Sequence, residues 1–101
     1  MTLDEFITLF QNRKLAVHVK NQTEKTTVLS FVRTSIFKHS RYDLPFDSNF
    51  QYVGSTRARD DVHCWNNPAR LGADSIEYEE FCSIVYGQEE SIDEKSILSL
   101  L

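Results

Sequence analysis

A short β-branched run, Leu15-Ala16-Val17-His18-Val19, stands between two stretches that carry the marks of amphipathic helices. Upstream, Thr2-Leu3-Asp4-Glu5 reads as a capping box, with Thr2 at the N-cap and Glu5 three residues on. Leu3, Phe6, Ile7 and Phe10 then recur at i, i+3, i+4 and i+7, one apolar stripe on a helix over residues 3–12. Asp4 and Glu5 suit the positive end of its dipole, and Arg13 and Lys14 the negative end. The run at 15–19 places Leu15, Val17 and Val19 on one face of a strand, with His18 opposite. Asn21 caps a second helix over residues 22–37, on which Val28, Phe31, Val32 and Ile36 share a face.

Beyond this point the signals turn to strands. Residues 38–49 read as a loop holding Pro45, with Leu44 and Phe46 tucked against the core. Strands are expected at 50–53 and 62–65, with the polar loop GSTRARDD between them. Asn66-Asn67-Pro68 stops the latter, and Arg70-Leu71 either begins a fourth strand or continues the loop. A strand over 75–78 runs into a helix over 79–86 that Gly87 terminates, and Ser91-x-x-Glu94 opens a short terminal helix. The expected fold is α+β, in the order α-β-α-β-β-(β)-α-α. Its small, mostly antiparallel sheet of 3–4 strands has helices packed on one face. Residues 1–87 form the domain and residues 88–101 an acidic tail with a short helix. At 101 residues the chain suffices for one small core and leaves little room for a deep enclosed active site.

Charge is segregated along the chain. Residues 1–42 carry seven basic residues against three acidic, net +4, while residues 74–101 carry eight acidic residues against Lys95 alone, net −7. Such an end attracts basic surfaces and repels nucleic-acid phosphate. It is read either as a solvated acidic end or as a docking surface built from Glu77, Glu79, Glu80, Glu89, Glu90, Asp93 and Glu94.

Catalytic and metal chemistry find little support. His63 and Cys64 are adjacent on a strand, so their side chains take opposite faces and do not share an ion. Cys64 and Cys82 form no C-x-x-C pattern and read as reduced core thiols. The isolated Gly54, Gly72 and Gly87 make no phosphate loop. Glu79-Glu80 is a pair without a pocket. The reading is a non-enzymatic protein with no cofactor and no metal, and no direct contact with nucleic acid is expected. His18 reads as a half-exposed or hydrogen-bonded histidine, with proton transfer as the alternative. A constellation of Trp65, Arg57, Arg59 and Arg70 has two readings. Either Trp65 fills the core while the arginines pair with Asp60 and Asp61, or tryptophan and arginine meet a partner. No apolar run approaches a membrane span, and Asp4 and Glu5 argue against a signal peptide, so a cytoplasmic protein is expected.

The order of Asp4-Glu5-Phe6, Ala16-Val17-His18, the Thr/Glu-led second helix, the strand holding Cys64 and Tyr78-Glu79-Glu80-Phe81 resembles a class of small proteins of Gram-positive phages and mobile elements. The likeness spans roughly residues 2–86. Ser40-Arg41-Tyr42 stands where that class has a Gly-aromatic-Trp turn, and the tail from Gln88 on is particular to this chain. The class has no common catalytic residues. The resemblance implies a job against or alongside host machinery in the bacterial cytoplasm. Most concretely, it implies an anti-CRISPR inhibitor of a type II effector nuclease, whose basic channel an acidic face can occupy. One alternative is an accessory protein that binds nucleic acid through the basic N-terminal half with Arg57 and Arg59. Another is an oligomerising module held by Ile97, Leu98 and Leu101.

Overall fold

The computed structural model describes residues 1–87. The terminal helix expected from Ser91 lies outside the described residues, as do Glu89, Glu90, Asp93, Glu94, Ile97, Leu98 and Leu101.

Helix α1 (Leu3–Gln11) begins as its sequence dictates. The Thr2 hydroxyl accepts from the Glu5 amide at 3.1 Å, and the Glu5 carboxylate accepts from the Thr2 amide at 3.1 Å. Two backbone donors that a helix start leaves unpaired are thus satisfied. The chain leaves α1 through Arg13, whose φ of 63° is left-handed, and enters β1 (Leu15–His18). Helix α2 (Gln22–Ser35) is capped by Asn21, which accepts from the Glu24 amide at 2.9 Å. It ends two residues short of the expected limit. Ile36 leaves helical dihedrals (φ −123°), and Phe37 folds back into the core with its amide on the Val32 carbonyl at 2.8 Å.

Strands β2 (Tyr52–Ser55) and β3 (Val62–Trp65) form a hairpin. β2 begins later than the alternation at 50–53 predicts, because the Phe50 amide closes a turn onto the Asp47 carbonyl. Arg70 and Leu71 belong to a 3₁₀ turn (Pro68–Leu71) rather than a strand, with Asn67 accepting from the Ala69 amide at its start. β4 (Asp74–Glu77) starts one residue early, because the Lys14 carbonyl draws the Asp74 amide into register beside Leu15. Helix α3 is only Tyr78–Cys82 and widens into a π-helical turn, Ser83–Gly87. There the Ser83 hydroxyl donates to the Glu79 carbonyl, a bond that commonly bends helices.

The sheet order is β3-β2-β1-β4. β2 runs antiparallel to β1 and β3, while β4 lies parallel to β1, so the sheet is mixed. One row across it, Cys64-Val53-Val17-Ile76, faces the helices and is buried. Over it sit Phe6, Phe10, Phe31 and Phe81, with Phe6 within 5.7–6.0 Å (ring centroids) of the other three. The neighbouring row, Trp65-Tyr52-His18-Glu77, takes the other face. There Trp65 packs with Ala16 and Ala73 in a second, smaller cluster that the half-buried Tyr52 flanks. Trp65 is therefore buried, at 5% exposure, but beneath the sheet rather than in the main core.

The loop from Lys38 to Asn49 is tied down by a lysine. Lys25 is buried on the α2 face that also carries Val28, Leu29 and Val32. Its ammonium donates to the Leu44 and Pro45 carbonyls at 2.7 and 3.0 Å and sits 5.2 Å from the Tyr42 ring centroid. Phe46 packs on the core as expected, whereas the Leu44 side chain is exposed and only its carbonyl reaches inward.

Candidate interaction surfaces

The acidic corner is built where β4 passes into α3. Glu77 stands at the start of α3 but makes no side-chain cap. Its carboxylate instead takes the His18 Nδ1 at 2.7 Å across the parallel β1–β4 pair. Glu79 faces Lys20 at 3.9 Å, and Glu80 is exposed on the same short helix. The side chains of Glu77 and Glu79 are 60% and 68% exposed. Three of the seven expected docking carboxylates are thus gathered at one corner, one of them bonded to His18 and one facing the Lys20 ammonium.

His18 is hydrogen-bonded on both ring nitrogens, to Glu77 and, through Nε2, to the Gln51 side-chain oxygen at 2.9 Å. Its ring also stacks on Tyr52 with centroids 4.8 Å apart. Two oxygen acceptors suit the doubly protonated ring. Burial disfavours the imidazolium, but the bonds to Gln51 and Glu77 and the Glu77 charge outweigh it, so the pKa lies above the ordinary 6.5. A histidine whose folded pKa is raised contributes stability fully present below its unfolded pKa and lost as pH rises through the folded value. The stability difference between the parent and His18→Gln is expected to be larger at pH 5.5 than at pH 8.5. Because Glu77 is largely exposed, the change amounts to about 0.2–1 kcal/mol. Urea unfolding at the two pH values measures it, and an equal difference at both removes the role assigned to the imidazolium.

The arginines do not pair with Asp60 and Asp61. Asp60 accepts from the Thr56 hydroxyl at 2.8 Å, and Asp61 from the Val62 amide at 2.6 Å. Burial raises the Asp61 pKa, but hydrogen bonds from Ser40 and Val62 and the His39 charge bring it below the usual carboxylate value. Both carboxylates thus serve to close the β2–β3 hairpin. Arg57 and Arg70 instead line a groove of about 340 Å³ beside Trp65, together with Arg13, whose guanidinium lies 5.6 Å from the Trp65 ring centroid. Arg59, at a φ of 62°, occupies the hairpin tip outside that groove. Arg13 escapes a reading of the sequence because its neighbourhood depends on β1 pairing with distant strands.

A larger cavity of about 600 Å³ lies between α2, the 42–50 loop and β3, lined by Lys25, Tyr42, Phe46, Phe50, His63 and Cys64. Burial, and then a hydrogen bond with the Cys64 thiol, raises the Tyr42 pKa well above its usual value. Lys25 was legible in principle, since positions 25, 28, 29 and 32 form one helical stripe. His63 is exposed and Cys64 buried, on opposite sides of β3, as adjacent strand positions require. Among the described residues no three His, Cys, Asp or Glu side chains cluster to hold a metal ion, and no helix is long and apolar enough to cross a membrane.

Comparison with protein-family models, with curated proteins and with solved structures finds no match to this chain.

Proposed function

We propose that this chain is a non-enzymatic binding protein whose acidic end docks on the basic surface of a nucleic-acid-handling protein, most concretely a type II CRISPR effector nuclease. One observation carries the reading. Glu77, Glu79 and the exposed Glu80 gather at a single corner, at the head of a segment with a net charge of −7. A field of one sign steers association with a basic channel, and such effectors hold a guide–target duplex through its backbone in a channel of that kind. Glu77 is engaged by His18, and Lys20 offsets part of the charge of Glu79. The docking charge therefore rests on Glu80 and on Glu89, Glu90, Asp93 and Glu94 further along the chain.

The test reverses those five charges to lysine and leaves untouched Glu77, which bonds His18 across β1 and β4, and Glu79, which faces Lys20. Affinity for a guide-loaded type II effector is expected to fall at least tenfold. Binding of the parent is expected to weaken steeply between 50 and 200 mM salt, as displacement of a phosphate backbone from basic residues requires. An unchanged affinity in the reversed variant, or no binding by the parent, overturns the reading.

A further inference from the structure

The arginine-lined groove beside Trp65 has no part in the acidic-end reading and stands independently of it. We infer that this groove is a binding site for a nucleotide, its phosphate held by Arg13, Arg57 and Arg70 and its base against Phe50 and Leu71.

Three observations carry the assignment. The first is unused cationic charge. Arg13, Arg57 and Arg70 line one groove, and none lies within ion-pair distance of a carboxylate among the described residues. The neighbouring acids Asp60 and Asp61 are engaged by Thr56 and Val62. Along one row of the sheet Glu77 of the acidic corner lies three strand spacings, roughly 14 Å, from Trp65. That exceeds the Debye length of about 8 Å at physiological salt, so the corner acts only weakly on the Trp65 end of the groove. The second is the placement of Arg13. Its guanidinium is positioned over the Trp65 ring and its backbone is held at a positive φ. The Nε is covered by protein, which leaves the terminal N–H groups, whose fork matches phosphate oxygens. The third is an apolar wall. Phe50 and Leu71 are 43% and 40% exposed where they line the groove. Aromatic side chains of this kind carry nucleic-acid bases by stacking.

The groove's volume of about 340 Å³ sets the size of the ligand. It is near the lower limit of small-molecule sites, roughly 300 Å³, and holds one nucleotide unit. That unit comes either as a free mononucleotide or as one residue of a single strand.

Trp65 is the chain's one tryptophan, so its fluorescence reports on the groove directly. The full chain is titrated with AMP, with a six-residue oligothymidylate, with inorganic phosphate and with a polyglutamate peptide, at low and physiological salt. A saturable change in Trp65 emission with AMP or the oligonucleotide is expected. It weakens at least tenfold in the double variant Arg57→Gln/Arg70→Gln, whose unfolding midpoint should match the parent's. Binding of AMP as tight as that of the oligonucleotide assigns the site to free nucleotides. An oligonucleotide at least tenfold tighter, with a steeper salt dependence, assigns it to a single strand. The inference is overturned by no saturable change with either nucleotide ligand, by a double variant that binds like the parent, or by phosphate or polyglutamate binding as tightly as both.

Discussion

Phe6→Ala should remove about 3–5 kcal/mol of folding stability, the usual cost of emptying a buried phenylalanine site. Phe6 is fully buried and meets Phe10, Phe31 and Phe81 from α1, α2 and α3 at once. The void would lie where the three helices converge, and none of these rings can close it without leaving its other contacts. A chain of this size has roughly 5–15 kcal/mol in all, so the variant should lose about a fifth or more of its unfolding midpoint in urea. Phe6→Leu keeps most of the volume and should cost less than about 1.5 kcal/mol. A loss below 1 kcal/mol for the alanine variant would mean that the three helices do not share this ring as their common contact.

The second large effect is expected at Gly54→Ala, at about 1–3 kcal/mol, from overpacking rather than from a cavity. A methyl group there would stand 2.6, 2.7 and 2.8 Å from three atoms of the Trp65 ring, closer than carbon atoms approach. The ring has little room to retreat, with Ala16 and Ala73 packed against it and Arg13 over it. The loss should therefore come with a shift in Trp65 emission. Gly72→Ala provides the contrast. Nothing lies near its methyl, but its φ of 68° is unfavourable for alanine, so stability should fall by roughly 1 kcal/mol with Trp65 emission unchanged. If Gly54→Ala keeps both its midpoint and its emission, the ring does not lie on the glycine.

Much of the first half of the fold is legible because its signals are local. Thr2 and Glu5, three residues apart, announce α1, and Asn21 with Glu24 announces α2 in the same way. The strand at Val62–Trp65 is read correctly from four residues and the stop at Asn66-Asn67-Pro68. The misplacements come from a local turn in one case and from a distant partner in another. Phe50 and Gln51 alternate with Tyr52 and Val53 as a strand would, yet Phe50 is drawn into a turn by Asp47. Asp74 joins β4 only because Lys14 is there to accept its amide. Trp65 looks like a core residue by size and hydrophobicity. Which side of the sheet buries it depends on a register that three other strands establish together. Of the candidate surfaces, the acidic corner was visible as a run of charge, whereas the groove was visible only in part. Trp65, Arg57 and Arg70 stand out in the sequence, and Arg13 does not, because it joins them only when α1, β1 and β3 are assembled.

The parallel pairing of β1 with β4 also has a consequence for synthesis. His18 and Glu77 are 59 residues apart, so the outer edge of β1 has no partner until the ribosome has made the chain through Glu77. At 5–20 residues per second, that interval lasts about 3–12 s. Throughout it Leu15-Ala16-Val17 lacks the partner that closes this edge in the fold, and an apolar strand edge left open is of the kind that templates unwanted pairing. Helix and hairpin formation take microseconds, so translation rather than local folding sets when this strand is closed. For those seconds, a chaperone or a neighbouring polypeptide competes with β4 for the same row of backbone hydrogen bonds.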